Sequence, residues 1–270
     1  MKKDGRSGES QRYRCRSCRR TCIDRTGTPF AGHRWPQAII VTAVRWYLRY
    51  RLSAADVRDL LAERGVGVSA RTALHWVRKF APLLARAGRR AATRLGRRWW
   101  CDETSVRVGG KWAYLYRAID EHGQVVDVVL RTHRDLASAR DCFVLATYRR
   151  RTAPEEIITD KHLAYIRAVR EEVPGATHTQ RGLHRKSGSD TKPIERSHVP
   201  TKDRLRPMRG LQSIRTGQRA IEGVELARAV QRGYVTAPDI RVGSAAGPHA
   251  RARAAATAFA WLADDLRVAA

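Results

Sequence analysis

Three acidic side chains, Asp102, Asp160 and Glu195, are spaced along this chain in a way that could support phosphodiester chemistry. That chemistry needs charge neutralised on the phosphate and an activated oxygen nucleophile. Two divalent cations about 3.5–4 Å apart supply both, and carboxylates are the hard oxygen ligands that hold them. Each acid alone has an ordinary explanation. Asp102 could sit at a strand-end turn, Asp160 could cap a helix starting at Lys161, and Glu195 could be a first-turn acid favoured by the helix dipole. Asp102 is the most telling, because it follows the apolar run Trp99-Trp100-Cys101. A charge there is expensive to bury without a partner, and a bound metal would be one. Lys202, seven residues beyond Glu195, returns to the same helix face after nearly two turns and could contact terminal phosphates. His198, one turn from Glu195, either positions a phosphate or packs.

A second constellation lies near the start. Cys15, Cys18 and Cys22 read C-x2-C-x3-C, a tight turn of the kind that gives a zinc site two of its four ligands. His33 could be the fourth ligand, at an untypical spacing; reduced thiols without metal are the other reading. Five Cys do not make a disulfide framework, and a reducing cytoplasm is the simpler compartment. Cys101 and Cys142 fall in apolar runs and read as small core residues.

The acids need rigid elements that converge. Trp99 to Val108 is apolar and β-rich, Gly109-Gly110 turns, and Lys111 to Asp120 and Val125 to Leu130 give two more strands. Asp135 caps a helix. Glu156 to Thr159 is a short strand ending at Asp160, and a helix follows with Leu163, Ile166 and Val169 inside. Ala176 to Gln180 reads as another strand, and helices fill Pro193 to Leu205 and Ile214 to Gln231. Three antiparallel strands, then helix, strand, helix, strand, helix is the order of the ribonuclease-H-like fold, an α/β layered domain. There, strands one and four are neighbours, so Asp102 and Asp160 meet, and a later helix delivers Glu195 across them.

Upstream, residues 36–80 read as helices. Pro36 suits a first helical position, and Ile40, Val44, Tyr47 and Leu48 recur on one face. Ser53 caps a second helix, which Gly65 and Gly67 break. Ser69 caps a third, stopped by Pro82. Helix, short turn, helix is the helix-turn-helix pattern, and its second helix exposes Arg71, Thr72, His75, Arg78 and Lys79, which are groove-reading residue types.

The charge agrees with a polyanionic partner. The 270 residues hold 53 Lys+Arg against 26 Asp+Glu, a net +27. Residues 1–98 carry +18 of this (24 basic, 6 acidic), so the front third is the electrostatic grip. The 45 Arg against 8 Lys reflect codon bias in large part, although Arg also forks onto phosphate. No apolar run reaches the ~18–20 residues a membrane span needs, and the basic N-terminus has no apolar stretch behind it to make a secretory signal.

The segments "CDETSVRVGGKWAYLYRAID", "ITDKHLAY" and "IERSHVPTKDRLRPMRGLQSIRTGQRAIEGVELARAVQRGY" resemble the DDE transposases of bacterial insertion sequences, family six, the IS twenty-six type. That pattern places an Asp in a D-E-T strand, an Asp in a T-D-K turn, a Glu after 34 intervening residues and a Lys seven beyond. Asp102, Asp160, Glu195 and Lys202 match it, since 195 − 160 − 1 = 34, and His198 matches as well. The resemblance covers roughly residues 34–234. It implies a Mg²⁺-dependent enzyme with two ions (Mn²⁺ a workable substitute). Such an enzyme binds terminal inverted repeats of double-stranded DNA, exposes 3′-hydroxyls and joins them to target DNA, in the family by replicative, cointegrate-type movement. Two ends must be brought together, so a homodimer or larger assembly on DNA is expected, in the bacterial cytoplasm at the nucleoid. "YRCRSCRRTCIDRTGTPF" is similar to the second half of a transposase zinc ribbon whose upstream Cys pair is missing. Either the start is truncated, or the ribbon has decayed, or a Zn²⁺ site uses Cys22 and His33.

The expected organisation is a basic arm with a partial zinc knuckle (1–34), a helix-turn-helix DNA-binding domain (35–96), a ribonuclease-H-like catalytic domain (97–236) and an Ala/Gly-rich extension (237–270). Gly243, Gly247 and Pro248 mark that extension as flexible, with a short helix from Ala254 to Val268. The alternatives are a helix-turn-helix regulator and a folded but inactive transposase remnant.

Overall fold

The computed structural model describes residues 1–7, 10–180, 192–206, 208, 211–240 and 247–268. The basic arm is a small antiparallel sheet, β1 (Lys2–Ser7), β2 (Ser10–Arg14) and β3 (Thr21–Ile23). Helices α1 (Gln37–Arg49), α2 (Ala54–Ala62) and α3 (Ala70–Ala91) follow. Both serine caps form: Ser53 makes a reciprocal capping box with Asp56, and Ser69 accepts from the Thr72 amide.

The main sheet contains β4 (Arg98–Val108), β5 (Lys111–Asp120), β6 (Val125–Arg131), β7 (Glu156–Thr159) and β8 (Thr177–Gln180). Its order is β6-β5-β4-β7-β8; β4, β5 and β6 are antiparallel, while β7 runs parallel to β4 and β8 to β7. Helices α4 (Leu136–Arg150), α5 (Leu163–Glu172), α6 (Lys192–Leu205), α7 (Ile214–Gln231) and α8 (Pro248–Val268) complete the chain. This is the ribonuclease-H-like order expected from the sequence.

Alternation along β4 sorts side chains between two layers. Trp99 and Cys101 join a core with Phe143 of α4 and Tyr165 of α5, whereas Trp100 packs with Ile194 of α6 on the other face. A larger core unites α1, α2, α3, α7 and α8 with Val106, Leu115 and Leu130 of the sheet.

Three expectations are corrected. Pro82 does not stop α3, which continues to Ala91. The lost amide costs one helical bond, but Leu84, Ala85, Ala87 and Gly88 beyond it are buried, and that packing prevails. The approach there is close. A Cβ on Gly88 would meet Leu226 Cδ1 of α7 at 2.4 Å, and one on Gly223 of α7 would meet Ala81 and Leu48 at 2.8 Å. Second, Leu163 and Ile166 are exposed (77% and 39%); Tyr165, Ala168 and Val169 form the buried stripe of α5. Third, the extension is not a loose tail. Residues 241–246, Gly243 among them, lie outside the described residues, but α8 spans 21 residues. It buries Ala258, Phe259, Leu262, Ala263 and Leu266 in the main core, a helical stripe that the Ala-rich composition disguised. Among the described residues no helix is long and apolar enough to cross a membrane.

Candidate active site

Strand pairing brings the first two acids together. The parallel register sets Trp99 beside Ile157 and Trp100 beside Ile158. Carried two residues further, the same offset puts Asp102 level with Asp160. One carboxylate oxygen from each of Asp102, Glu103 and Asp160 lies within 4.8 Å of the others. Asp160 Oδ1 accepts from the His162 amide (3.0 Å), and its Oδ2 lies 3.7 Å from Arg134 Nη2.

Glu103 was not foreseen. As Asp102's neighbour on a strand it leaves by the opposite face, toward α5. There it is nearly buried, accepting from Tyr165 Oη and from Arg134 Nε. Burial, and then the Glu103 charge, push the Tyr165 phenol well up, so it stays protonated and donates. Arg134 thereby spans Glu103 and Asp160. The signal in the sequence is the D-E-T triplet itself, in which Glu103 directly follows Asp102.

Asp102 faces α6. Its Oδ2 lies 3.2 Å from His198 Nε2, and its Oδ1 accepts from the Glu103 amide. His198 is only 7% exposed, and its Nδ1 is buried without a partner. The ring expected to meet a phosphate thus lies, in this structure, against the Asp102 carboxylate. The cross-strand neighbour of Asp102 is Arg117, fully buried, which donates to the Ser197 carbonyl of α6 and to Glu225 of α7. This holds α6 against the sheet at the level of the acids.

Glu195 is exposed in the first turn of α6, one turn before His198, and is not part of the 4.8 Å group. Lys202 is half-buried two turns along. On α3, Arg71, His75 and Arg78 are exposed. Thr72 is half-buried with its hydroxyl 3.0 Å from Ser69 Oγ, and Lys79 Nζ lies 2.9 Å from His33 Nε2. Burial and then the Lys79 charge lower the His33 pKa, so the neutral ring can accept that proton.

His33 is thus committed to α3, against Phe80 at 5.4 Å between centroids, and not to the cysteines. No three of Cys15, Cys18, Cys22 and His33 bring ligand atoms together, because the acidic group is the one such cluster among the described residues. Cys22 Sγ instead lies 3.9 Å from Met1 Sδ. Cys15 meets Ser17 Oγ at 3.3 Å, and that hydrogen bond, then the Cys18 and Ser17 amides, lower its thiol to about 6. Cys101 and Cys142 are buried core residues, as expected.

The sheet order and the carboxylate cluster between the neighbouring central strands β4 and β7 define a ribonuclease-H-like domain with a divalent-cation type of donor set. A family model described as a DDE domain matches residues 96–234. The transposase for insertion sequence-like element IS431mec of Staphylococcus aureus strain Mu50 is 34% identical over 194 residues, 72% of this chain and 84% of that one. The transposase for insertion sequence element IS257 in transposon Tn4003 of the same species matches to the same extent. Among solved structures, the HTLV-2 integrase catalytic core domain in complex with magnesium aligns with TM-score 0.40 and 16% identity, covering 60% of this chain and 97% of that one. The BIV integrase catalytic core gives 0.38 and 14%, covering 57% and 91%. At these TM-scores the sheet order, not the overlay, carries the fold. The chain belongs to the DDE-type transposases of insertion sequences, family six.

Proposed function

We propose that the protein cuts DNA at the terminal inverted repeats of its own element and joins the freed 3′-hydroxyls to target DNA. The observation that carries this reading is the meeting of the Asp102 carboxylate, midway along β4, with that of Asp160, just past the end of β7, in a chain of this family. The donors are carboxylate oxygens alone, a set suited to Mg²⁺ or Mn²⁺. Asp102 and Asp160 would hold two such ions, with Glu195 completing the set from α6. Ions bound there supply charge neutralisation on the phosphate and an oxygen nucleophile reactive at neutral pH.

The chain's own residues prepare that site. Strands β4 and β7 fix the two aspartates, and His198 holds one oxygen of Asp102 in place. Tyr165 and Arg134 fix Glu103, which backs Asp160. Lys202 on α6 would meet terminal phosphates. Arg71, His75 and Arg78 read a DNA groove from α3, while Thr72 closes the helix cap with Ser69 and Lys79 ties the helix to His33. Two ends must be held at once, so the working form on duplex DNA is a dimer or larger, in the bacterial cytoplasm at the nucleoid.

The test is cleavage and strand transfer on a duplex carrying the terminal repeat, with Mg²⁺ or with chelator. Asp102→Asn and Asp160→Asn are expected to reduce both reactions to background while DNA binding persists. Cleavage surviving either substitution would refute the assignment, as would binding lost in parallel.

A further inference from the structure

Arg204 lies in the last turn of α6 and is 6% exposed. Its Nε donates to the Leu48 carbonyl near the end of α1 (3.1 Å), and its guanidinium lies over the Tyr47 ring at 5.3 Å. Its Nη1 and Nη2 are buried and have no hydrogen-bond partner. Buried polar groups are almost always paired, and a guanidinium has five donors and no acceptor. Burial pulls its pKa down to about 10, which leaves it charged at neutral pH.

A groove of about 490 Å³ opens beside this group, lined also by Arg49, Arg51, Arg228 and Arg232. The one acid lining it, Asp203, is already shared by Arg51 (3.3 Å) and Arg206 (3.6 Å). A second hollow of about 520 Å³ continues past Arg49 and Tyr50 and adds Arg45. The hollows share Arg49 and Tyr50 in their walls, and with Arg228 paired to Glu225 they still present Arg45, Arg49, Arg51 and Arg232, which suits a row of phosphates better than one small anion. Their place in the fold also suits a strand. Arg204 follows Glu195 by nine residues on α6, about 13.5 Å along the axis, and the α1 end it grips shares a core with the DNA-facing helix α3.

We propose that the joint between α1 and α6 is a binding site for DNA backbone phosphates, with the Arg204 fork as its floor and Arg51 at its mouth. The site rests on the DNA-joining reading above. It joins the end of α1, which packs in one core with α3, to α6, which carries Glu195, and it would fix the path of a strand between those helices.

The variants are Arg204→Gln and Arg51→Gln. Arg97→Gln is the control, because it removes an equal charge from an exposed pair with Glu155 just before β4. Fluorescence anisotropy on duplexes of about 30 bp, from about 50 to 300 mM NaCl, gives the slope of log K against log salt, and each lost phosphate contact reduces it by about 0.9. Arg204→Gln and Arg51→Gln are each expected to show that reduction, and Arg97→Gln to keep the wild-type slope. A reduction confined to a duplex ending in the terminal repeat assigns the phosphate to the element end. One shared with an unrelated duplex assigns it to any DNA, target included. Wild-type slopes for both groove variants, or the same change in Arg97→Gln, overturn the proposal. If Arg204→Gln does not fold, Arg51→Gln decides alone, its side chain being 72% exposed. Failure of the wild-type protein to cleave would sink the functional reading without touching these slopes.

Discussion

Replacing Glu225 by glutamine tests how the catalytic helix is held. Glu225 accepts from Arg117 Nη2 at 3.2 Å and from Thr201 Oγ1 at 2.7 Å, and Arg228 Nη1 lies 3.3 Å away. One buried carboxylate thus pairs with two guanidiniums and ties α6 and α7 to the strand opposite Asp102. Glutamine keeps the shape and removes the charge, leaving Arg117 buried and uncompensated. Breaking such a pair from one side costs about 3–5 kcal/mol. At roughly 2–4 °C per kcal/mol for a chain of this size, the melting temperature should fall by about 6–20 °C.

The acid limb gives a second measurement. Burial alone raises the Glu225 pKa, but the Arg117 and Arg228 charges and the Thr201 hydrogen bond more than reverse this and hold it low. A folded pKa below the unfolded value of about 4.3 contributes stability that is complete above that pH and lost as pH falls through the folded pKa. Scanning calorimetry should therefore show the gap between wild type and Glu225→Gln narrowing below about pH 4. A variant melting within about 2 °C of wild type at pH 7 would refute the reasoning. So would a gap that persists in acid. The double variant Arg117→Met with Glu225→Leu should recover part of the loss, because both charges then leave together.

Two further outcomes are expected. Tyr165→Phe removes the donor that fixes Glu103 and should cost about 1.5–3 kcal/mol; it should also raise the Mn²⁺ concentration needed for half-maximal cleavage, and an unchanged metal requirement would detach Glu103 from the site. Gly88→Ala would gain about 1 kcal/mol on helix propensity alone, but the contact with Leu226 predicts a loss of about 1–3 kcal/mol. The urea midpoint gives the sign.

The order of strands and helices from Trp99 onward was legible in the sequence because turn residues and a change of period mark each boundary. So was the pairing of Asp102 with Asp160, which needs only the sheet order. Glu103 was not, since adjacent residues within β4 point apart and only Asp160, just past the end of β7, gathers both carboxylates into one group. His198 carries no sequence mark that separates packing on a carboxylate from touching a phosphate, and only the folded chain shows its ring against Asp102. Pro82 and α8 were misjudged for a common reason. Local composition argued for a stop and a loose tail, and tertiary burial overrode both. Arg204 was hidden among 45 arginines, and only the lack of partners for its fork sets it apart.

Helix α3 starts where DNA would be read and ends wedged against α7 of the catalytic half. Its 22 residues make an unbroken bar of about 33 Å. If α3 meets the bases as proposed, a bar with its other end in the catalytic half would work as a caliper. The span from the sequence gripped to the bond severed is then built into one rod rather than left to a swinging linker. Lengthening that rod by a single residue would swivel the grip by about 100°, and the jaws would close on the wrong bond.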